Sequence, residues 1–270
     1  PVGCHRGREV LGVKNVCLPL TFEDKGPRPG ALPFAPGGVL TTATAARSNK
    51  IEIPYFVSYL DLIPKLLKVT GGRHIHIGRL TPWALWRLRR GMRKEGVPAD
   101  RLVYMAWTPS VWKTLQEQGV DVYIASFPYG GGITLIEAMG AGVPVVLHQH
   151  IYSRILSGFE LAYPEAFNWR SPADLLTHFA TIRLEGLPTQ SRLARRCYEE
   201  FHRPEVLHNY LEHHGGGFAD VPPLSVAYAR AADEWACWAQ GQLGFDRLVG
   251  RTVYRLARRV RASISFYRWR

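Results

Sequence analysis

Residues 121–150, DVYIASFPYGGGITLIEAMGAGVPVVLHQH, decide the fold of this chain. An apolar run at 122–125 ends at three consecutive glycines, and a helical pattern follows from about residue 133 to residue 140. Gly142-Val143-Pro144 then ends that helix and opens a second apolar run at 145–147. Strand, glycine loop, helix and strand in this order predict a βαβ unit, with the loop at the carboxyl end of its first strand.

The glycine loop predicts an anion-binding turn. Gly130, Gly131 and Gly132 lack a Cβ, so the backbone there can approach a ligand and can reach φ > 0. The start of the next helix offers unpaired N–H groups and the positive end of a dipole, which suits a phosphate. Two common phosphate loops are excluded, because Leu135 breaks G-x-G-x-x-G and no G-K-[ST] is present. Neither a dinucleotide-binding dehydrogenase nor a P-loop nucleotidase is favoured by motif.

Strand and helix patterns alternate on both sides of this unit and predict an α/β fold, a doubly wound parallel (Rossmann-like) sheet. Ser171, Pro172 and Asp174 provide a cap residue, a first-turn proline and an early acid for one helix. Pro64 predicts either one kinked helix or two short ones over 53–67. The predicted strands are 39–44, 73–77, 101–105, 122–125 and 145–147, and the predicted helices are 53–67, 82–95, 110–118, 133–140, 151–161, 174–182 and 192–201.

Composition shifts divide the chain into four parts. Residues 1–38 are rich in Gly and Pro and indicate a linker or the tail of an upstream domain. The Rossmann-like domain covers 39–203, a linker follows at 204–223, and a basic helical tail occupies 224–270. The first residue is Pro1 rather than Met, so we expect the chain to be part of a longer one.

Gross composition indicates a globular, cytoplasmic protein. Apolar residues make up 46% and charged residues 21% of the 270, and the four cysteines are far apart, typical of reduced thiols. No apolar run approaches the roughly 20 residues of a membrane span. Of the net charge of +12, residues 246–270 carry +7 on eight Arg and one Asp. This amphipathic tail is a solvated helix, a contact with an anionic membrane surface (the inner face of a membrane) or a contact with an acidic partner, and no nucleic-acid-binding module accompanies it.

The motif SFPYGGGITLIEAMGAGVPVV, followed by the pair Ser153-Arg154, resembles the nucleotide-sugar motif of glycosyltransferases with two Rossmann-like domains, the GT-B architecture. Within that group it is most similar to the group 1 and O-linked N-acetylglucosamine transferase types. The resemblance is strongest over 121–157 and extends over 39–201. It implies the carboxyl-terminal, donor-binding half of such an enzyme, with an added helical tail.

The resemblance implies a set of donor contacts in the glycine motif. Gly130, Gly131, Gly132, Ile133 and Thr134 would face the diphosphate, and Glu137 would accept hydrogen bonds from the ribose hydroxyls, as an acceptor-only carboxylate can. A capping box, Thr134-x-x-Glu137, is the alternative role of this acid. Many retaining enzymes have a second acid eight positions before the Glu. Here Tyr129 stands at that place, and it joins the predicted donor contacts without supplying a carboxylate.

Other predicted site residues follow the remaining strands. Arg47 and Lys50 are the predicted catalytic cations that neutralise the departing diphosphate, and the alternative is an ordinary solvated loop. The loop Trp107, Thr108 and Pro109 would frame the nucleotide base, unless Trp107 belongs to the core. His148, His150 and Arg154 complete the predicted donor cleft. The alternating pairs His74/His76 and His148/His150 each share a strand face, but no third ligand accompanies them, so no metal site is predicted.

The implied reaction transfers a hexosyl or N-acetylhexosaminyl group from a nucleotide diphosphate sugar, UDP-linked by resemblance, to an acceptor hydroxyl. We expect no cofactor and no metal. The acceptor is a glycan, a lipid-linked glycan or a protein, and an amino-terminal Rossmann-like domain would supply its site. Two alternatives stay open from the residues alone: a nucleotide-sugar epimerase of the same architecture, and a non-catalytic nucleotide-binding or scaffold domain.

Overall fold

The computed structural model describes residues 2–3, 16–17, 20–30, 32–53, 55, 57–149 and 161–213 of the chain. Its centre is one parallel sheet of six strands in the order β3-β2-β1-β4-β5-β6. The strands are β1 (Thr41–Ala45), β2 (Arg73–Ile77), β3 (Leu102–Met105), β4 (Val122–Ile124), β5 (Val145–His148) and β6 (Phe167–Trp169). The predicted doubly wound parallel sheet is therefore confirmed. Val2–Gly3 and Val16–Cys17 form a separate two-residue parallel pair.

Eight α-helices lie in the described part of the chain. They are α1 (Ser48–Ile51), α2 (Tyr59–Thr70), α3 (Pro82–Glu95), α4 (Val111–Glu117), α5 (Gly132–Gly140), α6 (Pro172–Thr181), α7 (Leu187–Phe201) and α8 (Pro204–His213). None of the helices within the described ranges is long and apolar enough to cross a membrane.

Local capping chemistry fixes several helix ends. The Thr81 hydroxyl accepts from the Ala84 N–H at 3.2 Å and starts α3, which ends at Gly96 with φ 71°. At α6 the Ser171 hydroxyl accepts from Asp174 N, and the Asp174 carboxylate accepts from Ser171 N at 2.9 Å. The helix start predicted at residues 171–174 is thus confirmed, and the two hydrogen bonds form a capping box.

Two apolar layers cover the sheet. The helices α2, α3 and α6 bury one layer against it, with Ile63, Leu66 and Leu175 fully inside. The helices α4, α5 and α7 bury the other, around Trp112 and Tyr198. Burying one large apolar side chain contributes about 1.5–3 kcal/mol, so both layers are substantial. A Cβ on Gly140 would overlap the Trp112 ring, which is why α4 and α5 can approach so closely.

Some predicted elements differ in the structure. Helix α2 is one continuous helix that begins only at Tyr59 and contains Pro64 in its interior, so the alternative of two short helices is wrong. The Pro64 ring faces Gly91 of α3, where an added Cβ would lie 2.9 Å from Pro64 Cγ. Pro64 has no backbone N–H to donate within α2, which weakens the helix, and close packing of its ring against α3 compensates for this loss.

Other elements of the structure were absent from the prediction, among them the short helix α1, which lies where a polar loop was predicted. Strand β6, of three residues, pairs with β5 at the sheet edge. The first part of the predicted linker 204–223 is helix α8, which Pro204 begins and Glu205 supports with an early acid. The predicted helix at 151–161 falls almost wholly, and the tail at 224–270 entirely, outside the described residues.

The described part of the predicted amino-terminal linker packs on the α/β body. It is irregular, as expected, but Asp24 Oδ2 pairs with Arg195 Nη2 of α7 at 2.6 Å. The Gly26 carbonyl accepts from Trp112 Nε1 at 2.8 Å. At its far end the buried Asp121 accepts from Ala35 N at 2.8 Å and Thr41 N at 2.7 Å. These bonds fix the path by which the chain enters β1.

Candidate functional site

The sheet order creates a crevice between β1 and β4. These strands are neighbours, but the chain leaves β1 towards β2 and leaves β4 towards β5, on the opposite side. Loops at the carboxyl ends of such a pair diverge, and open α/β sheets bind ligands at this switch point. Arg47 follows β1 and precedes the short helix α1, which carries Lys50, while Gly130 and Gly131 lie in the loop after β4 and Gly132 begins α5. Two segments predicted separately therefore flank one crevice.

Lys50 lies beside the middle glycine. A Cβ built on Gly131 would be 3.7 Å from Lys50 Nζ and would overlap Thr134 Oγ1. Gly131 has φ −98°, and none of the three glycines has a positive φ. The expectation that they provide φ > 0 is wrong, because the turn requires the missing Cβ for space only. Gly142, after the helix, is the glycine of this stretch with positive φ, at 71°.

The amino terminus of α5 points into the same crevice. Gly131 is its N-cap residue, with no side-chain cap. The first hydrogen bond at this end runs from Leu135 N to Gly131 O at 3.3 Å. The N–H groups of Gly132, Ile133 and Thr134 precede it and so have no acceptor within the helix. Three backbone donors and the positive end of a helix dipole therefore lie next to Lys50.

This corner of the structure is positive and unneutralised. Burial lowers the pKa of the half-buried Lys50 ammonium, and the positive charge of Arg47 lowers it further. Among the described residues, no carboxylate pairs with either cation. Two repelling cations and a helix amino terminus form a site that an anion would stabilise.

Glu137 does not cap its own helix. Helix α5 begins at Gly132, so Thr134 is its third residue, and the Thr134 hydroxyl lies 3.1 Å from the Tyr123 hydroxyl that donates to it. The Thr134–Glu137 capping box is therefore wrong. Instead Glu137 Oε1 accepts from Trp112 N at 3.2 Å, and the carboxylate also accepts from Val111 N. Glu137 caps α4 across the helix interface.

The environment of Glu137 balances opposing effects. Its side chain is 6% exposed, and burial raises the pKa of the carboxyl. The α4 N–H groups and the positive charge of Lys25 lower the pKa of the same carboxyl, because they stabilise its ionised form. The acid is thus held in a fixed position at the start of α4.

The predicted base loop leads into this same helix start. Trp107 is 71% exposed, so the alternative that it belongs to the core is wrong. Thr108 Oγ1 lies 2.6 Å from Thr114 Oγ1, which ties the loop to the first turns of α4, and Pro109 is exposed. Because Glu137 accepts from the N–H groups of that helix, the structure brings the loop next to the acid.

Sequence reasoning missed Lys25 at this place. Its ammonium donates to Ser110 Oγ at 3.1 Å, and it lies close enough to Glu137 to lower the pKa of that carboxyl. Lys25 is 85 positions from Ser110 in the chain and lies in a segment without periodicity. No local pattern could have assigned it to the site.

The predicted histidines have structural partners. His148 is at the end of β5 but is 2% exposed, with Tyr55 Oη 2.7 Å from its Nε2 and Trp169 O 3.1 Å from its Nδ1. His74 and His76 share one strand face, as predicted. The Tyr59 hydroxyl lies 2.9 Å from His74 Nε2 and 2.8 Å from His76 Nδ1.

Of the remaining predicted donor contacts, the structure describes only Tyr129. Tyr129 is half-buried in the loop after β4, and its carbonyl accepts from Ser126 Oγ at 2.6 Å. His150 and Arg154 lie outside the described residues. No group of three or more His, Cys, Asp or Glu in the described ranges is arranged to hold a metal ion.

Comparison with known proteins identifies the fold. No protein-family model and no curated protein matches the chain. Among solved structures, a Staphylococcus aureus TarM mutant in complex with fondaparinux, α-GlcNAc-glycerol and UDP has TM-score 0.52 and 13% identity, covering 77% of this chain and 40% of its own. Anabaena HepE in complex with UDP and glucose has TM-score 0.50 and 13% identity, covering 65% and 48%. An O-GlcNAc transferase mutant from Thermobaculum terrenum has TM-score 0.48 and 20% identity, covering 74% and 40%.

The likenesses to TarM and HepE, with TM-scores of 0.52 and 0.50, confirm the α/β, Rossmann-like fold predicted for this chain. At such identities they show the fold alone. The chain spans less than half the length of each of these three structures.

Proposed function

We propose that this chain is the donor-binding half of a GT-B-like glycosyltransferase that uses a nucleotide diphosphate sugar, of the UDP class. One observation carries the proposal: the Lys50 ammonium lies beside Gly131 at the amino terminus of α5, with no carboxylate partner among the described residues. A diphosphate is the anion that such a crevice suits, because it meets backbone donors and a cation at once.

In the proposed reaction the bond between the sugar C1 and the β-phosphate oxygen breaks. A new bond forms between C1 and the acceptor oxygen, and the acceptor proton passes to a base. Negative charge develops on the departing diphosphate. Lys50, Arg47 and the N–H groups of residues 132–134 would stabilise that charge without a metal ion, a role supported by the position of Lys50 beside Gly131.

The nucleoside would extend from the diphosphate towards α4. Glu137 would accept hydrogen bonds from the ribose hydroxyls through the lone pairs that the α4 N–H groups leave free. The exposed Trp107 ring would stack on the base, with Thr108 and Pro109 shaping its edge. Lys25 joins this group as a positioning residue for the Glu137 carboxylate.

The similar structures support this reading at the level of the fold. The TarM mutant and HepE are both recorded with UDP, and HepE also with glucose. This chain matches less than half of each, and its described residues contain one Rossmann-like sheet. We therefore assign donor binding to this chain, and we assign the acceptor site and the base to a further domain of the longer protein.

Calorimetric titration tests donor binding. The panel is UDP, GDP and ADP, then UDP-glucose and UDP-N-acetylglucosamine, with and without EDTA. We expect UDP to bind, EDTA to leave the affinity unchanged, and Lys50→Met to weaken binding by about 10- to 150-fold, the equivalent of one charge-assisted hydrogen bond. The matched control is Lys94→Met, which removes the same charge at the exposed end of α3, the opposite edge of the sheet. If no nucleotide diphosphate binds, or both variants behave alike, the proposal fails.

Product analysis separates transfer from the two alternatives. Incubation of the longer protein with donor and no acceptor would yield free sugar or an epimer from an epimerase, and neither from a transferase. Incubation with a pool of candidate acceptors would yield a glycosylated product only from a transferase. UDP binding with no turnover under either condition would identify a non-catalytic nucleotide-binding domain.

A further inference from the structure

Helix α3 exposes two tryptophans side by side. Trp83 is 54% and Trp86 49% exposed, although indole rings are normally largely buried. The buried residues of this helix, Ala84, Leu88 and Met92, recur at helical spacing and define the opposite face. The two tryptophans therefore belong to the solvent side of a well-anchored helix and not to the core.

The same solvent side is strongly basic. Arg90, Arg93 and Lys94 are exposed and lie on the same helical face as the two tryptophans, and Arg89 lies at the edge of that face. None of these four cations has a carboxylate partner in the part of the chain that the structure describes. Three acids lie near α3 and each has a partner: Asp61 pairs with Arg87, Glu95 pairs with Lys68, and Glu52 accepts from the Thr81 N–H and hydroxyl. We call the surface formed by Trp83, Trp86, Arg89, Arg90, Arg93 and Lys94 the Trp–Arg face.

The tryptophans and arginines of this face are already arranged together. The Arg87 guanidinium carbon lies 5.3 Å from the Trp83 ring centroid, and that of Arg90 lies 5.2 Å from the Trp86 centroid. Cation–π contact of this kind stabilises each exposed ring beside a guanidinium group of the same helix. An indole prefers the boundary between water and hydrocarbon, where its ring is shielded and its N–H stays hydrated.

We propose that the Trp–Arg face docks on an anionic lipid bilayer. Charge complementarity favours this partner, because four cations on one helix, with no carboxylate partner among the described residues, match a surface of negative phosphates. Two neighbouring indoles favour a bilayer over nucleic acid or an acidic protein patch, since both rings can enter the interface together. The inference does not depend on the donor site, so its failure and that of the proposed function are separate results.

Docking would also orient the crevice. Trp83 lies in the first turn of α3, and α3 begins after the carboxyl end of β2. The donor crevice opens at that same edge of the sheet, after β1 and β4. The Trp83 end of the Trp–Arg face would therefore hold a bilayer near the mouth of the crevice, while Lys94 lies at the other edge of the sheet.

Co-sedimentation of the full chain with lipid vesicles is the test. We expect binding to vesicles of phosphatidylcholine with phosphatidylglycerol, and little to phosphatidylcholine alone. Each basic residue near such a surface contributes about a fivefold change in affinity, so Arg90→Gln with Arg93→Gln should weaken binding about 25-fold. The control, Arg192→Gln with Arg196→Gln, removes two exposed arginines from α7 and should change it less than twofold.

A second measurement follows the tryptophans themselves. Lipids brominated in their acyl chains should quench the fluorescence of the wild type, and Trp83→Ser with Trp86→Ser should lose most of that quenching. Circular dichroism checks that each variant is folded, which the exposure of all four positions leads us to expect. Three results would overturn the proposal: no binding by the wild type, equal weakening by the α7 control, or unchanged quenching without the two tryptophans.

Discussion

The strongest prediction concerns the double role of Glu137. An ionised carboxylate has about four lone-pair sites, and the structure uses those directed at Val111 N and Trp112 N. Two sites remain, the number that a ribose diol can fill. Replacing Glu137 by Gln keeps the shape and one acceptor oxygen but removes the charge. We expect the variant to lose both fold stability and recognition of the ribose.

The two losses can be estimated separately. Weakening a charged acceptor at the buried start of α4 should reduce the free energy of unfolding by about 1–3 kcal/mol. Recognition is measured by comparing UDP with 2′-deoxy-UDP. If the carboxylate accepts the 2′-hydroxyl, the wild type should prefer UDP by about 10- to 150-fold, and Glu137→Gln should have most of that preference removed.

Isothermal titration of the wild type and of Glu137→Gln with both nucleotides measures the coupling between the carboxylate and the 2′-hydroxyl. Urea unfolding of the two proteins measures the change in the free energy of unfolding. The control is Glu117→Gln, an exposed acid at the end of α4 that should change neither quantity. If the folded variant still distinguishes the two nucleotides as the wild type does, Glu137 only caps α4 and the ribose role is refuted.

Three further predictions follow from the same crevice and from the core beside it. Burial and the charge of Arg47 lower the pKa of Lys50 from its ordinary 10.5, so the ammonium loses its proton at a pH below 10.5. The affinity of the wild type for UDP should therefore decrease as the pH is raised towards that value. Lys50→Arg should retain its affinity there, and identical profiles in titrations from about pH 7 to 10 would contradict this. Gly131→Ala should weaken UDP binding about tenfold, because its Cβ would overlap Thr134 Oγ1 beside Lys50. Gly30→Ala, which has open space, should not, and equal affinities would count against the close approach. Burial lowers the pKa of His178 from 6.5 to about 4. As the pH falls from 6.5 to 4, the unfolded chain therefore binds a proton that the folded chain does not, and the free energy of unfolding should decrease. His178→Phe should reduce the slope of urea stability against pH by about 1.4 kcal/mol per unit, and an unchanged slope would refute the assignment.

Local chemistry explains why so much of the fold could be predicted. Helix α3 was predicted at its observed bounds because Thr81, Pro82 and Gly96 mark both ends within the sequence itself. The parallel sheet followed from alternation of strands and helices. Strand β6 was missed because three residues carry too little pattern, and its ladder with β5 comes from tertiary pairing.

The candidate site shows the same division between local and distant information. The glycine run and Lys50 were predicted as separate features, and the fold brings them to one crevice. The capping box failed because spacing alone does not reveal that α5 begins at Gly132, two residues before Thr134. Lys25 was missed because its approach to Ser110 depends on how a non-periodic segment packs on the finished body.

The arrangement at Lys50 is suited to a reaction rather than to binding alone. Its ammonium is partly desolvated and repelled by Arg47, so the free crevice is electrostatically unfavourable. Any diphosphate relieves that repulsion, but the departing diphosphate has more negative charge on its oxygens than the intact donor. The interaction therefore strengthens as the C1–O bond breaks, and an interaction stronger in the transition state than in the ground state is one that accelerates the step. In the proposed reaction the crevice that holds the donor is also the device that promotes its cleavage.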